Sequence, residues 1–195
     1  MKRNLRRIII AILCAANVAL GVVLWRSNDP GYRMHELLAF GRYSEHDKRI
    51  ARIAEKRGLD PLLVKAVVWR ESRFTTTKVG KAGERGLMQV GEAAARDWAA
   101  ANKIEVFTFA DLFDAETNLD AGTWYLSRAL ERWKDRDDPL PYALAEYNAG
   151  RSRVEKWAAN ATTTAEMLRE ASGVGTRQYV DDIIRRYQRY LAQNR

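Results

Sequence analysis

Ile8 to Trp25 is an unbroken run of 18 uncharged residues, IIIAILCAANVALGVVLW. Backbone polar groups in such a run are satisfied only within a helix. At 1.5 Å rise per residue, the run just crosses a hydrocarbon core of about 30 Å. Lys2, Arg3, Arg6 and Arg7 precede it, and the positive-inside rule keeps such a basic stub in the cytoplasm. A cleaved signal peptide is the competing reading, because Ala19-Leu20-Gly21 has the small-residue spacing of a cleavage site. Val22 to Trp25 continue the apolar run past that point, which favours an uncleaved anchor. Cys14 lies mid-run behind Leu13 and reads as a buried thiol rather than a lipid attachment site. Either reading exports the rest of the chain to the periplasm or cell-wall side of the inner, cytoplasmic membrane.

The net charge of +8 invites a nucleic-acid reading. Residues 1–26, however, carry five Lys or Arg and no acid, which leaves only +3 for the remainder. That mild excess is poor support for binding nucleic acid. One Cys excludes a disulfide-stapled scaffold and a multi-thiolate metal site. Only two His are present, and His35 and His46 read as solvent-exposed.

The chain divides into a basic stub and membrane helix (1–27), a linker (28–43) and one globular domain (44–195), long enough for a single core. That domain reads as all-α. Asp60 caps a helix with Pro61 in its first turn, and Gly58 ends the helix before it. A polar, Gly-containing loop spans 74–85. Helical periodicity resumes at 86–101, and then at 109–113, 115–134, 139–149, 151–159, 163–171 and 176–193. No window alternates in the manner of a strand.

Val64, Val67, Val68 and Glu71 stand at i, i+3, i+4 and i+7 of one helix, so Glu71 shares the apolar face. Desolvation there raises a carboxyl pKa, as a general acid near neutral pH requires. The alternative is a structural Glu paired with Arg85 or Arg177.

Five segments bear on this choice: Glu71-Ser72 in WRESRF, Gly86-Leu87-Met88-Gln89, Asn118 to Leu126 (NLDAGTWYL), Ala145 to Gly150 (AEYNAG), and GTRQYVDDI with Tyr179. In that order and spacing, the chain resembles the lysozyme-like lytic transglycosylases of the soluble-lytic-transglycosylase (SLT) type over about residues 59–190. Gly91-Glu92-Ala93 departs from the Met-Pro-Ala-Thr-like stretch usual there, and Glu146 stands where Ala is common.

The resemblance implies a lysozyme-like helical fold and cleavage of peptidoglycan between N-acetylmuramic acid and N-acetylglucosamine, with formation of a 1,6-anhydro ring. It implies Glu71 as the single catalytic residue, with Ser72, Met88, Gln89, Tyr147, Asn148 and Tyr179 facing substrate. It requires no cofactor and no metal. The implied partners are peptidoglycan strands and, through the N-terminal helix, the membrane, with no nucleic acid; protein partners are not specified. A muramidase with Glu84 or Glu146 as second carboxylate is the enzymatic alternative, and a non-catalytic glycan-binding scaffold is the other. Trp69, Trp98, Trp124, Trp133 and Trp157 are candidates either for stacking on sugars or for the core.

The topology is testable. Externally added protease should digest residues 44–195 in spheroplasts while the full chain sediments with membranes; protection of that segment in intact spheroplasts would reverse the orientation.

Overall fold

The computed structural model describes residues 2–25, 31, 34, 38 and 41–194. It divides into two units, residues 1–44 and 45–195. His35 and most of the predicted linker lie outside the described residues.

The first unit contains α1, Lys2–Trp25. Its side chains Ile8, Ile9, Ile10, Ile12, Leu13, Val18 and Val22 are exposed. Among the described residues no helix is long and apolar enough to cross a membrane. The apolar run of the sequence finishes on Val23, Leu24 and Trp25, whose side chains lie outside the described residues.

The second unit is helical throughout, with two isolated β-bridges, Val79 to Arg85 and Arg85 to Val90, as its only described extended pairing. Its elements are α2 (Asp47–Lys56), α3 (Pro61–Ser72), α4 (Glu92–Ala101), a 3₁₀ turn (Phe109–Phe113), α5 (Ala115–Arg132), α6 (Pro139–Ala149), α7 (Arg151–Ala159), α8 (Thr164–Glu170), a 3₁₀ turn (Ala171–Val174) and α9 (Thr176–Gln193). α9 packs against both α3 and α6 at the centre, and α5 packs on α6. Val64, Val67 and Val68 of α3 are fully buried in this core with Leu144 of α6 and Val180 and Ile183 of α9.

Asp60 begins α3 as the sequence requires, its carboxylate accepting from Leu62 N at 2.8 Å. Its other oxygen accepts the Tyr187 hydroxyl of α9 at 2.6 Å. Burial, then the Asp60 carboxylate, pushes the Tyr187 pKa up to about 12.

Three expectations are corrected. Residues 86–91 are not helical, and α4 starts only at Glu92. Gly86 and Gln89 have φ of +77° and +48°, values that a right-handed helix excludes. His46 is buried rather than exposed, with Nδ1 3.0 Å from the Arg49 guanidinium, and burial lowers its pKa. Helical spacing puts Tyr179, Ile183, Tyr187 and Leu191 in one stripe of α9, but Leu191 is exposed, and Tyr190 takes the buried place.

Asp60→Ala removes a helix cap and the partner of a tyrosine hydroxyl together. Chemical denaturation should show a loss of about 2 kcal/mol, near the sum of one cap and one hydrogen bond.

Candidate active site

Glu71 sits in the last turn of α3. The helix stops because Arg73 and Phe74 both adopt left-handed backbone, φ +52° and +61°, a costly conformation for side chains of this size. Phe74 is 2% exposed, so its burial holds the turn. The chain is thereby swung off the helix axis directly after the carboxylate.

The Tyr179 hydroxyl of α9 donates to Glu71 Oε1 at 2.6 Å. No Lys or Arg pairs with the Glu71 carboxyl among the described residues. Arg85 stacks over Phe109 at 4.1 Å, and Arg177 faces Asp181 at 3.8 Å on the surface, so neither basic residue weighed from the sequence neutralises it. Lys78 Nζ donates to the Glu71 backbone carbonyl. Burial raises the Glu71 pKa from 4.5 to about 7, against the opposing effects of the Tyr179 hydrogen bond, Arg70 and Lys78. Arg70 reaches Asp182 at 3.2 Å and lies over the Tyr179 ring at 5.3 Å, tying α3 to α9 on either side of the pair.

The Gly86–Gln89 turn is locked in place by Asn118, which is fully buried. Asn118 Oδ1 accepts from Met88 N at 2.7 Å, and Nδ2 donates to Arg85 O and Leu112 O at 2.7 and 2.9 Å. A Cβ at Gly86 would overlap Asn118 Nδ2, and one at Gly122 would press into the Met88 side chain. Two of the sequence motifs are therefore one interlocked unit. The Tyr147 hydroxyl donates to Met88 O at 2.9 Å, and the Tyr147 ring meets Tyr125 edge-on. Burial first, then the negative charge at Glu71, holds the Tyr147 pKa well above its ordinary value. A groove of about 400 Å³ opens beside Tyr147, with Tyr125, Gln89, Glu84 and the start of α4 in its walls. A second cavity of about 320 Å³, shared at Tyr125 and Asp97, lies against Trp124 and Arg128.

A family model, the transglycosylase SLT domain, matches residues 48–169. The chain belongs to this family. Membrane-bound lytic murein transglycosylase F of Desulfosudis oleivorans is 33% identical over 108 residues, 54% of this chain and 22% of that relative. The protein of the same name from Pseudomonas fluorescens is 25% identical over 143 residues, 72% of this chain and 26% of that one. The chain thus spans about a quarter of the length of these curated relatives. An inactive mutant of lytic transglycosylase Slt from Pseudomonas aeruginosa shares the fold, with TM-score 0.69 at 24% identity over 79% of this chain and 25% of that one. So does the 70 kDa soluble lytic transglycosylase of Escherichia coli, with TM-score 0.67 at 24% identity over 75% of this chain and 24% of that one.

Within this SLT domain the predicted site residues have different placements. Glu71, Tyr147 and Tyr179 converge. Ser72 is buried, and its hydroxyl returns to Val68 O at 3.3 Å, closing the helix end. Met88 is fully buried, and its carbonyl accepts the Tyr147 hydroxyl. Gln89 lines the groove, yet its amide nitrogen is held by the Lys78, Gly86 and Glu84 carbonyls at 3.1, 3.1 and 3.4 Å. Asn148 accepts the Thr176 hydroxyl at 2.8 Å, which joins the end of α6 to the start of α9 one turn before Tyr179. Glu146 is 1% exposed, paired with Arg132 and accepting Trp133 Nε1 at 2.7 Å, so it is not a second catalytic carboxylate. Of the tryptophans, Trp98 and Trp133 are buried, Trp69 is stacked by Arg73 and Arg186, and Trp124 lines the second cavity. Among the described residues no group of three His, Cys, Asp or Glu side chains is placed to hold a metal ion. Asn118 was legible as part of a motif but not as its clamp.

The raised Glu71 pKa has a stability consequence. Between pH 4.5 and about 7 the folded chain binds a proton that the unfolded chain has released, so stability falls as pH rises through that window. Glu71→Gln abolishes this loss. The variant should gain about 1–2 kcal/mol on the wild type between pH 4.5 and 8 in denaturant titrations, a value discounted for the carboxyl's partial exposure.

Proposed function

We propose that this chain is an exported, membrane-tethered lytic transglycosylase acting on peptidoglycan. The observation that carries the reading is Glu71, a carboxyl whose pKa burial raises to about 7, held by a tyrosine hydroxyl and in no ion pair among the described residues. Tyr179 occupies Oε1, which leaves Oε2 to carry the transferable proton. Glu71 gives that proton to the glycosidic oxygen leaving C1 of N-acetylmuramic acid. The resulting carboxylate takes the proton of the same sugar's C6 hydroxyl as that oxygen bonds to C1. The nucleophile is tethered to the reacting sugar, so its positional entropy is largely spent before the step. Tyr179 also donates to the carboxylate formed midway, which favours that charge. Ser72, Met88 and Asn148 act in this scheme by holding the groove in shape, and Gln89 by fixing the loop at its edge.

The names of the curated relatives, membrane-bound lytic murein transglycosylases, support both substrate and location. The anchor rests further on the apolar run after four basic residues and on the exposed apolar side chains of α1. In this reading residues 28–43 link the anchor to the catalytic domain, which works in the periplasm or at the wall.

Digestion of purified peptidoglycan should yield mainly muropeptides ending in 1,6-anhydro-N-acetylmuramic acid, identified by mass spectrometry and by inertness to borohydride. Glu71→Gln should lower turnover by about 10²-fold or more, the usual weight of a general acid, with the fold intact. Unchanged turnover would remove Glu71 from the mechanism, and binding without any cleavage would favour a scaffold.

A further inference from the structure

Glu84 has no role in the mechanism above, yet its carboxylate occupies a built position at the groove. Three carboxylates line that groove. Glu92 is held by Arg96 at 2.5 Å, and Asp97 is shared with the cavity of Trp124 and Arg128. Glu84 pairs with no cation among the described residues. Its Oε2 accepts from Ala82 N at 3.1 Å, while Oε1 accepts no hydrogen bond from the described residues. The seat is made by Gly80: a Cβ there would overlap the Glu84 carboxylate and stand 2.9 Å from Gln89 Oε1. The backbone closes around it, with Gly80 N donating to Glu84 O at 2.7 Å and Gln89 Nε2 reaching the same carbonyl. The loop is therefore shaped to keep an unneutralised carboxylate in the wall that also holds Tyr147. Its charge is felt at Glu71, where it adds to the upward shift caused by burial.

We propose that Glu84 is a second catalytic carboxylate, which accepts a proton from water attacking C1 and gives this transglycosylase a hydrolytic branch. The inference rests on the lytic transglycosylase reading. In the branch, Glu71 donates its proton to the leaving oxygen as the glycosidic bond breaks. The water oxygen bonds to C1, and its proton passes to Glu84. The products are a reducing N-acetylmuramic acid end and a free 4-hydroxyl on N-acetylglucosamine. Glu84 then loses its proton to solvent and Glu71 regains one, so the balance closes with one water consumed. Ring closure at C6 uses Glu71 alone and continues beside it.

The test is the product ratio from purified peptidoglycan, digested by the full chain and scored as anhydro ends against borohydride-reducible ends. Wild type should produce both. Glu84→Gln, which keeps size and polarity, should cut reducing-end formation by about 10²-fold, within the range for loss of a general base, and so shift the product ratio strongly towards anhydro ends. Gly80→Ala, which displaces the carboxylate without removing it, should lower the reducing-end share in the same direction. Wild type giving anhydro ends only, or both variants keeping the wild-type ratio, would overturn the proposal and leave the transglycosylase reading standing. No cleavage by wild type would overturn that reading, and this inference with it.

Discussion

A carboxyl shielded from water keeps its proton, and the rest of this domain is arranged to maintain that shielding at one residue. Burial is the leading cause of the upward shift at Glu71; the nearby cations and the tyrosine hydrogen bond oppose it. The balance matters more than either side. A deeper site would leave the carboxylate too costly to form, and a direct ion pair would hold it ionised from the start. One hydroxyl on Oε1 with the cations held elsewhere lies between these limits. Arg70 is engaged with Asp182 and the Tyr179 ring, and Lys78 with a backbone carbonyl.

Supporting contacts converge on the same point from three directions. α3 brings the carboxyl to its end and then turns away through two left-handed residues. α9 brings the tyrosine, its start fastened to α6 by Thr176 and Asn148 and its far end fastened to the beginning of α3 by Tyr187 and Asp60. The turn at 86–89 brings a carbonyl that holds the second tyrosine. Most of these are single hydrogen bonds, each worth about 1 kcal/mol net, so the precision of the site comes from their number.

Much of this was legible in the sequence. Caps and turn residues placed the helix starts, because Asp-Pro and Gly act within a few residues of themselves. The valine periodicity placed Glu71 correctly on the core side. The segment 86–91 misled because Leu87 and Met88 have helical apolar spacing, while the left-handed backbone at Gln89 is maintained by carbonyls of residues 78, 84 and 86. Backbone acceptors leave no mark in side-chain identity. Glu84 and Glu146 could not be separated for a similar reason. Both are acids beside a motif, and only the fold shows that one has a guanidinium and an indole while the other has neither. Ser72, Met88 and Asn148 were expected to face substrate, whereas the contacts seen for them are with the chain itself.

The interlock of Asn118, Gly86, Gly122 and Met88 has a consequence for heredity and engineering. Residues 86–89 and 118–122 behave as the two halves of a single key, cut for each other. A side chain added at Gly86 or Gly122 finds no room until its partner in the other half, Asn118 or Met88, gives way. Grafting the catalytic helix and the Gly86–Gln89 turn onto another helical scaffold would therefore fail unless the buried amide and the small residue of α5 travel with them.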